Sequence, residues 1–194
     1  MDIVLGQAEE DQAIALVSAG FSRPVSPELI ADTRLHLPAD MSVVALDDGR
    51  TVAFASFDLY ADGDLIYLKG MMIHPDYQAL GLAGQMHQAC LAKTEARFYS
   101  LRTQSPRMWS AGAKLCDPWL PRLNGADEQE LLEMAHYLEE YGTYPHVRGV
   151  YQGAIYGQKP THHDPAIQAW WDEQCDFHAG DAIICIGRLK DSRE

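Results

Sequence analysis

An α/β fold is the class this sequence predicts, with a mixed central sheet of about six or seven strands flanked by helices. Two patterns predict it. Three runs rich in β-branched and aromatic residues, Ser42 to Asp47, Thr51 to Tyr60 and Leu65 to His74, are separated by Asp48-Gly49 and Asp62-Gly63. Asp-Gly is a strong hairpin signal because both central positions of a type I′ turn need positive φ, so these runs should form an antiparallel meander. The third run is followed by a helical pattern and then by another strand, Phe98 to Thr103. A strand-helix-strand crossover sets its two strands parallel, which makes the sheet mixed. With 194 residues and no stretch that resembles a linker, the chain is expected to form one domain, residues 1–194, around a single sizeable core.

The remaining elements follow in order. Ile3 to Leu5 reads as a short strand leading into a helix through Gln12, Ile14, Leu16 and Val17. A second helix begins at Ser26-Pro27-Glu28, with Ser26 as N-cap and Pro27 in the first turn. After the meander a helix is expected from about Leu80 to Ala96, with Leu80, Ala83, His87, Cys90, Leu91 and Thr94 on its core face. Gln104-Ser105-Pro106-Arg107 opens another helix. Asp127 to Tyr141 is amphipathic: Asp127 and Glu130 make a capping-box-like start, Leu131, Met134, Ala135, Leu138 and Tyr141 form the stripe, and Gly142 is the stop. From His146 to Gly157, alternating Val147, Gly149 and Tyr151 and the repeated Tyr-x-Gly suggest a strand and its exit turn. Asp164-Pro165 caps a short helix carrying Trp170 and Trp171, and Asp181 to Leu189 closes the fold as a buried strand.

Composition narrows the function. The chain has 28 acidic against 15 basic side chains, a formal net charge of −13. This argues against nucleic acid or an anionic membrane as the main partner, because phosphate contacts need clustered Lys and Arg. Solubility accounts for such acidity, with a cationic substrate as a weaker second reading. The N-terminus, Met1-Asp2-Ile3-Val4-Leu5-Gly6-Gln7, has neither a basic region nor an extended apolar run, and no segment approaches the length needed to span a bilayer. A cytoplasmic protein is expected. Four widely spaced cysteines, Cys90, Cys116, Cys175 and Cys185, suggest reduced, buried thiols rather than a disulfide framework.

The most specific local pattern joins the third run to the helix after it. The apolar stretch Leu65 to Ile73 breaks at His74-Pro75-Asp76-Tyr77 and restarts as Gln78-Ala79-Leu80-Gly81-Leu82-Ala83-Gly84. A helix that begins among residues with little or no side chain exposes unsatisfied N–H groups, and its dipole places partial positive charge at the same spot. That is a site for a phosphate. The loop lacks the Gly-Lys-Ser/Thr ending of a P-loop, and its glycines do not fall in the G-x-G-x-x-G spacing. Gln78, Gly81 and Ala83 do fill a Gln/Arg-x-x-Gly-x-Gly/Ala pattern, and Ile73-His74-Pro75-Asp76-Tyr77 matches a Val-x-Pro-x-Tyr lead-in. Together they resemble the cofactor-binding motif of the GNAT (N-acetyltransferase) superfamily. Leu101-Arg102-Thr103-Gln104-Ser105-Pro106-Arg107-Met108 also resembles that family's Arg-Thr-Gln-Asn-Pro segment, with Ser105 in place of the usual Asn. The resemblance covers residues 40–115 well and the rest only by order of elements.

The resemblance implies a GNAT acyltransferase fold in which the strands at residues 65–74 and 98–103 splay apart and the pantetheine of acetyl-CoA enters the gap. Carried over residue by residue, it implies that Met72 and Ile73 offer backbone groups to pantetheine. The main chain of Gln78, Ala79, Leu80, Gly81, Leu82 and Ala83 would hold the pyrophosphate, and Ser105 would partly replace the usual Asn toward the cofactor arm. The first motif position is commonly Arg in the family and is Gln78 here, which implies a lower CoA affinity. The first two helices would border the acceptor site. The activity implied is transfer of an acetyl or other short acyl group from CoA to a primary amine of a small molecule or peptide. A CoA-binding or regulatory module of the same fold is the alternative. A homodimer is compatible with the resemblance, and the sequence does not read out the oligomeric state.

Direct attack of an amine on a thioester needs a base, an oxyanion donor and an acid for the thiolate. A backbone amide at Met71 or Met72 is the candidate donor. Tyr67 stands where some members of the family carry a glutamate base, but a phenol titrating near ~10 is a poor base at neutral pH, so a packed strand aromatic is the alternative. The family's tyrosine acid would fall at Gly112, which points instead to another tyrosine, such as Tyr151 or Tyr156, or to water. His74 beside the loop is a titratable candidate or a solvent-facing side chain. His162-His163, Cys175 and His178 are zinc-capable, yet their spacing matches no closed site and lacks a CxxC pair, so no metal is expected. Adjacent Trp170 and Trp171 point apart, one to the core and one to the surface, with a substrate role as the alternative.

Overall fold

The computed structural model describes residues 1–151 and 157–190. The chain divides into two compact units, Met1–Leu59 with Tyr67–Glu95, and Tyr60–Ile66 with Ala96–Glu194. Eight strands and six α-helices among the described residues make it an α/β protein, as the sequence predicts.

In the first unit, β1 (Asp2–Leu5), β2 (Met41–Asp47), β3 (Arg50–Tyr60) and β4 (Leu65–Ile73) follow one another in the sheet. Val44 pairs with Val4 on one side and Phe54 on the other, both antiparallel. Asp48 and Gly49 have φ of 48° and 78°, the double positive that a two-residue hairpin needs. The second Asp-Gly turn differs from expectation: Ala61, Asp62 and Gly63 all have positive φ, and Asp64 N–H returns to Ala61 O at 3.1 Å. Asp64 is held out of the hairpin because its carbonyl accepts the N–H groups of Arg97 and Phe98 and its carboxylate pairs with Arg97.

Helices cover both faces of this part of the sheet. On one, α1 (Glu10–Phe21) and α2 (Pro27–His36) bury Ala13, Leu16 and Val17 against Leu37, Val44 and Phe54, with Phe21, Leu29, Leu46 and Met72 packed around them. Ser26 caps α2 by accepting the Leu29 N–H at 3.2 Å, and Pro27 occupies the first turn. Strand side chains alternate between faces, so Met41 and Phe57 look the other way. There they meet Cys90 and His87 of α3 (Leu82–Leu91). His87 and Cys90 lie in the buried stripe of α3 as expected, joined by Leu82 and Met86 rather than by Leu80, Ala83, Leu91 and Thr94. Gly81, at φ 80°, ends the loop and delays the helix, which leaves Leu80 outside it and 56 % exposed; Thr94 lies past its end.

In the second unit, β5 (Phe98–Thr103), β8 (Ala182–Leu189) and β6 (Cys116–Leu120) lie in that order, and β7 (His146–Val147) also pairs with β8. All three partners run antiparallel to β8. Ile183, Ile184, Cys185 and Ile186 are fully buried, so both faces of β8 are covered. β6 is a strand that the sequence does not suggest. Its Cys-Asp-Pro-Trp-Leu contains a proline, tolerated here because the ladder is interrupted between Cys116 and Trp119. α4 (Pro106–Leu115) follows β5 as expected. The helix expected from Asp127 is shorter: α5 (Gln129–Ala135) passes into a 3-10 stretch that ends at Gly142. The capping box does not form, because Asp127 accepts from Tyr144 Oη at 2.8 Å and Glu130 pairs with Arg188. α6 (Pro165–Gln174) is capped by Asp164, whose Oδ1 accepts the N–H groups of Ala166 and Ile167. Trp171 is buried and donates from Nε1 to Gln104 O at 3.0 Å, while half-buried Trp170 packs on Trp109. The exit turn expected at Tyr156 lies outside the described residues.

All four cysteines are free and buried. No helix among the described residues is long and apolar enough to cross a membrane.

Candidate functional site

The loop after β4 is built from hydrogen bonds that close it on itself. Tyr77 Oη donates to Asp47 Oδ2 at 2.6 Å, tying the loop to the end of β2; that bond to a carboxylate holds the phenol proton on and raises its pKa. His74 Nδ1 accepts the Asp76 N–H at 3.3 Å. Gln78 Nε2 donates to Ile73 O at 3.3 Å, so this side chain spans the loop it belongs to. Ala79 (φ 63°) and Gly81 (φ 80°) then turn the chain into α3. The first N–H that the helix recovers is that of Gln85, to Gly81 O at 3.2 Å. Among the described residues, the N–H groups from Ala79 to Gly84 meet no protein acceptor. A Cβ on Gly81 would come no nearer than 3.9 Å to another atom, Gln85 Nε2, and one on Gly84 would find nothing within 4 Å. The loop therefore presents bare backbone donors at a helix N-terminus, the arrangement that suits phosphate oxygens.

β4 approaches this loop with its first four residues buried and the stretch from Lys69 to Ile73 half-buried. Tyr67 lies in the buried part, 2 % exposed. His74 N–H donates to Val52 O at 2.9 Å, and Gly70 O lies beside Ser56 Oγ. Backbone groups of alternate residues point to the same side of a strand, so the Met72 amide turns toward β3 while those of Met71 and Ile73 turn away from it. On the face covered by α1 and α2, Met72 Sδ fills the space over Gly20, and the His36 ring lies against Gly70, where a Cβ would stand 3.0 Å from Cδ2. His36 Nδ1 bonds Asp32 O at 2.7 Å. Lys69 Nζ reaches Asp58 at 3.1 Å and Pro38 O at 2.7 Å. The structure thus brings Met72, Ile73 and Gln78 to Ala83 together in the first unit, with His36 as a neighbour that no sequence spacing indicates.

Ser105 belongs to the second unit. It is 5 % exposed, its N–H donates to Thr103 Oγ1 at 2.9 Å, and its carbonyl starts α4 by accepting from Met108 and Trp109. Gln104 beside it donates to Asp181 O at 2.8 Å. Gly112, the expected tyrosine position, is covered by the Trp119 indole, whose Cζ2 would be 2.1 Å from an added Cβ. Tyr151 Oη accepts from Arg102 Nε at 3.3 Å. Arg102 lies over the rings of both Tyr141 and Tyr151, and Tyr60 Oη is bonded to Glu140 at 2.5 Å and Tyr141 Oη at 2.7 Å. The zinc-capable residues are not gathered: His162 contacts Ser110, Cys175 Sγ faces Asp181 O at 3.3 Å, and His178 packs on Phe177. Among the described residues no group of three or more His, Cys, Asp or Glu could hold a metal ion.

Known proteins bear on this geometry. The profile of the acetyltransferase (GNAT) family matches residues 9–112. No curated protein matches the sequence. Among solved structures, the aminoglycoside 6'-acetyltransferase type Ii is 9 % identical over 96 % of this chain and 97 % of its own, with a TM-score of 0.50. The ribosomal-protein-S18-alanine N-acetyltransferase from Escherichia coli is 15 % identical over 100 % of this chain and 97 % of its own, at 0.49. A GNAT family acetyltransferase from Brucella melitensis, solved in complex with acetyl-CoA, is 20 % identical over 52 % and 75 %, at 0.39. At such identities the likeness concerns the fold alone. The family profile spans more than half the chain and includes both the loop from Gln78 to Ala83 and Ser105, and on that ground the chain belongs to the acetyltransferase (GNAT) family.

Proposed function

We propose that this protein transfers an acetyl or other short acyl group from acetyl-CoA to a primary amine of a small molecule or peptide. The observation that carries the reading is the loop from Ala79 to Gly84, whose main-chain N–H groups meet no protein acceptor among the described residues and whose two glycines leave the approach open. Backbone amides and the α3 dipole supply the positive potential for a pyrophosphate, because Gln78 brings no charge and its side chain closes the loop. Acetyl-CoA supplies the thioester: the amine nitrogen bonds to its carbonyl carbon as the carbon–sulfur bond breaks, leaving an amide and the CoA thiol. The amides of Met71 and Ile73, which turn away from β3, are the donors that suit the pantetheine and the oxyanion, in place of the Met72 amide. Met72 contributes its side chain to the packing under Gly20. Tyr67 is sealed in the strand, so the proposal gives it a packing role and passes the ammonium proton to water. The thiolate takes its proton from solvent.

Isothermal titration with acetyl-CoA, CoA and NAD, followed by an amine panel scored for free thiol, tests this. Binding of acetyl-CoA without NAD, and thiol release that depends on an amine, are expected. Absence of binding to any CoA form would overturn the loop assignment, and binding without thiol release from any amine would leave a CoA-binding module.

A further inference from the structure

We infer that the second unit carries a separate site for a phosphate monoester, in the cleft between α4 and the segment that leads into α6. The inference does not depend on the acyl-transfer reading. A cavity of about 570 Å³ opens there, lined by Arg107, Ser110 and Lys114 on the helix side and by His162, His163 and Ile167 on the other. Its volume is in the range of small-molecule pockets. The three α4 positions are spaced three and four apart and so share one helix face.

Arg107, Ser110 and Lys114 can each present a donor to the cleft. His162 Nδ1 accepts the Asp164 backbone N–H at 3.0 Å, which assigns the ring proton to Nε2, and Nε2 donates to Ser110 Oγ at 2.9 Å. That tautomer rules out a serine–histidine nucleophile, since Nε2 has no lone pair to take the serine proton. It leaves the Ser110 O–H to donate into the cleft. Arg107 Nε is tied to Thr161 O at 2.6 Å, which orients the guanidinium and leaves its terminal nitrogens. Lys114 Nζ has no hydrogen bond or ion pair among the described residues. The His162 backbone N–H is bonded to Gln168 Oε1 at 2.6 Å, so the wall that carries the ring is itself held. The one carboxylate in the lining, Asp164, is engaged as the cap of α6.

Two cations, a hydroxyl and the His162 ring therefore line one cleft with a single carboxylate, Asp164, whose Oδ1 is engaged as a helix cap, on a chain of net charge −13. A surface shaped only for solubility would not gather them. A planar fork, an ammonium and a hydroxyl suit a tetrahedral oxyanion, and a phosphate monoester carries close to two negative charges at neutral pH, matching the two cations. Ala111 and Ile167 offer apolar contact to the remainder of the ligand. The ligand is a free phosphate monoester, and comparing CoA with 3′-dephospho-CoA separates it from the cofactor's own phosphate.

The test uses the full chain with ¹⁵N-labelled histidine. Inorganic phosphate is titrated while the His162 ring signal is followed, and CoA and 3′-dephospho-CoA are compared by calorimetry. The double variant Arg107→Gln, Lys114→Gln alters two exposed side chains, and its melting curve confirms the fold. A saturable shift of the His162 signal is expected in the parent, weakened at least about tenfold in the variant. Loss of affinity for inorganic phosphate with CoA affinity unchanged in the variant supports a separate site, whereas loss of affinity for CoA but not for dephospho-CoA overturns it. No saturable shift in the parent, or equal shifts in parent and variant, overturns the inference.

Discussion

Gly112→Ala is a substitution whose sign separates packing from helix propensity. In the interior of a helix this change ordinarily gains about 1 kcal/mol. Here the new methyl would stand 2.1 Å from Trp119 Cζ2, 2.5 Å from Cη2 and 2.6 Å from Cε2. The indole has little room to retreat, since it is 6 % exposed and stacked on Tyr99 at 5.9 Å with 21° between the planes. Overpacking costs about 1–3 kcal/mol, and contacts this short against a rigid ring belong at the upper end. The net is a destabilisation of about 2 kcal/mol, or a melting temperature lower by roughly 4–8 °C for a chain of this size. Thermal and urea unfolding would measure it. Adding Trp119→Phe removes the clashing atoms, together with an Nε1 that is buried without a partner among the described residues, so the double variant should recover at least about 1 kcal/mol relative to additivity. A Gly112→Ala protein that melts at or above the parent temperature would refute the argument. The same geometry predicts that Gly112→Tyr would not install a proton donor, because the indole occupies the space.

Three further outcomes are expected. A Cβ on Gly84 finds nothing within 4 Å, so in Gly84→Leu the melting temperature should hold or rise while CoA affinity falls at least about tenfold; an unchanged dissociation constant by calorimetry would reject the phosphate loop. The Arg97 guanidinium bonded to Asp64 holds its carboxyl below the usual carboxylate range. Because the folded pKa is the lower one, the contribution is present above the unfolded value of about 4 and disappears as pH falls through the folded value. Asp64→Asn should therefore flatten the acid side of the urea midpoint against pH, and parallel curves for the two proteins would dismiss the coupling. Burial pushes Cys90 and Cys175 up to about 11 and Cys116 up to about 12, and Cys185 well above the ordinary thiol value. Native protein at mildly alkaline pH should resist iodoacetamide while unfolded protein is alkylated at every cysteine, as read by mass spectrometry; native labelling at any of them would contradict that burial.

Where the sequence was legible, the physics is local. Asp48-Gly49 makes its turn because positive φ is cheap at those two residues, and Ser26 and Asp164 cap their helices because each reaches an N–H two or three positions on. The same chemistry misleads when a distant partner competes. Asp127 and Glu130 look like a capping box, but Tyr144 and Arg188 take their carboxylates. Cys116 to Leu120 does not look like a strand, yet β8 supplies an edge where an interrupted ladder tolerates Pro118. At the site, the loop after β4 could be read from its small residues. The His36 ring on Gly70 and the Arg102–Tyr151 pair could not, because each joins residues far apart in sequence through side-chain reach alone.

The sequence by itself determined the order and type of most elements, the helix-start loop at Gln78 to Ala83 and the family to which it points. These depend on backbone preferences and on the spacing of a few residues. Only the tertiary structure decided which amides of β4 turn outward, that the Trp119 indole leaves no room for a side chain at Gly112, and that Arg107, Lys114 and His162 line one cleft. Strand register, ring packing and the convergence of charge depend on residues brought together by folding, and no short-range pattern encodes them.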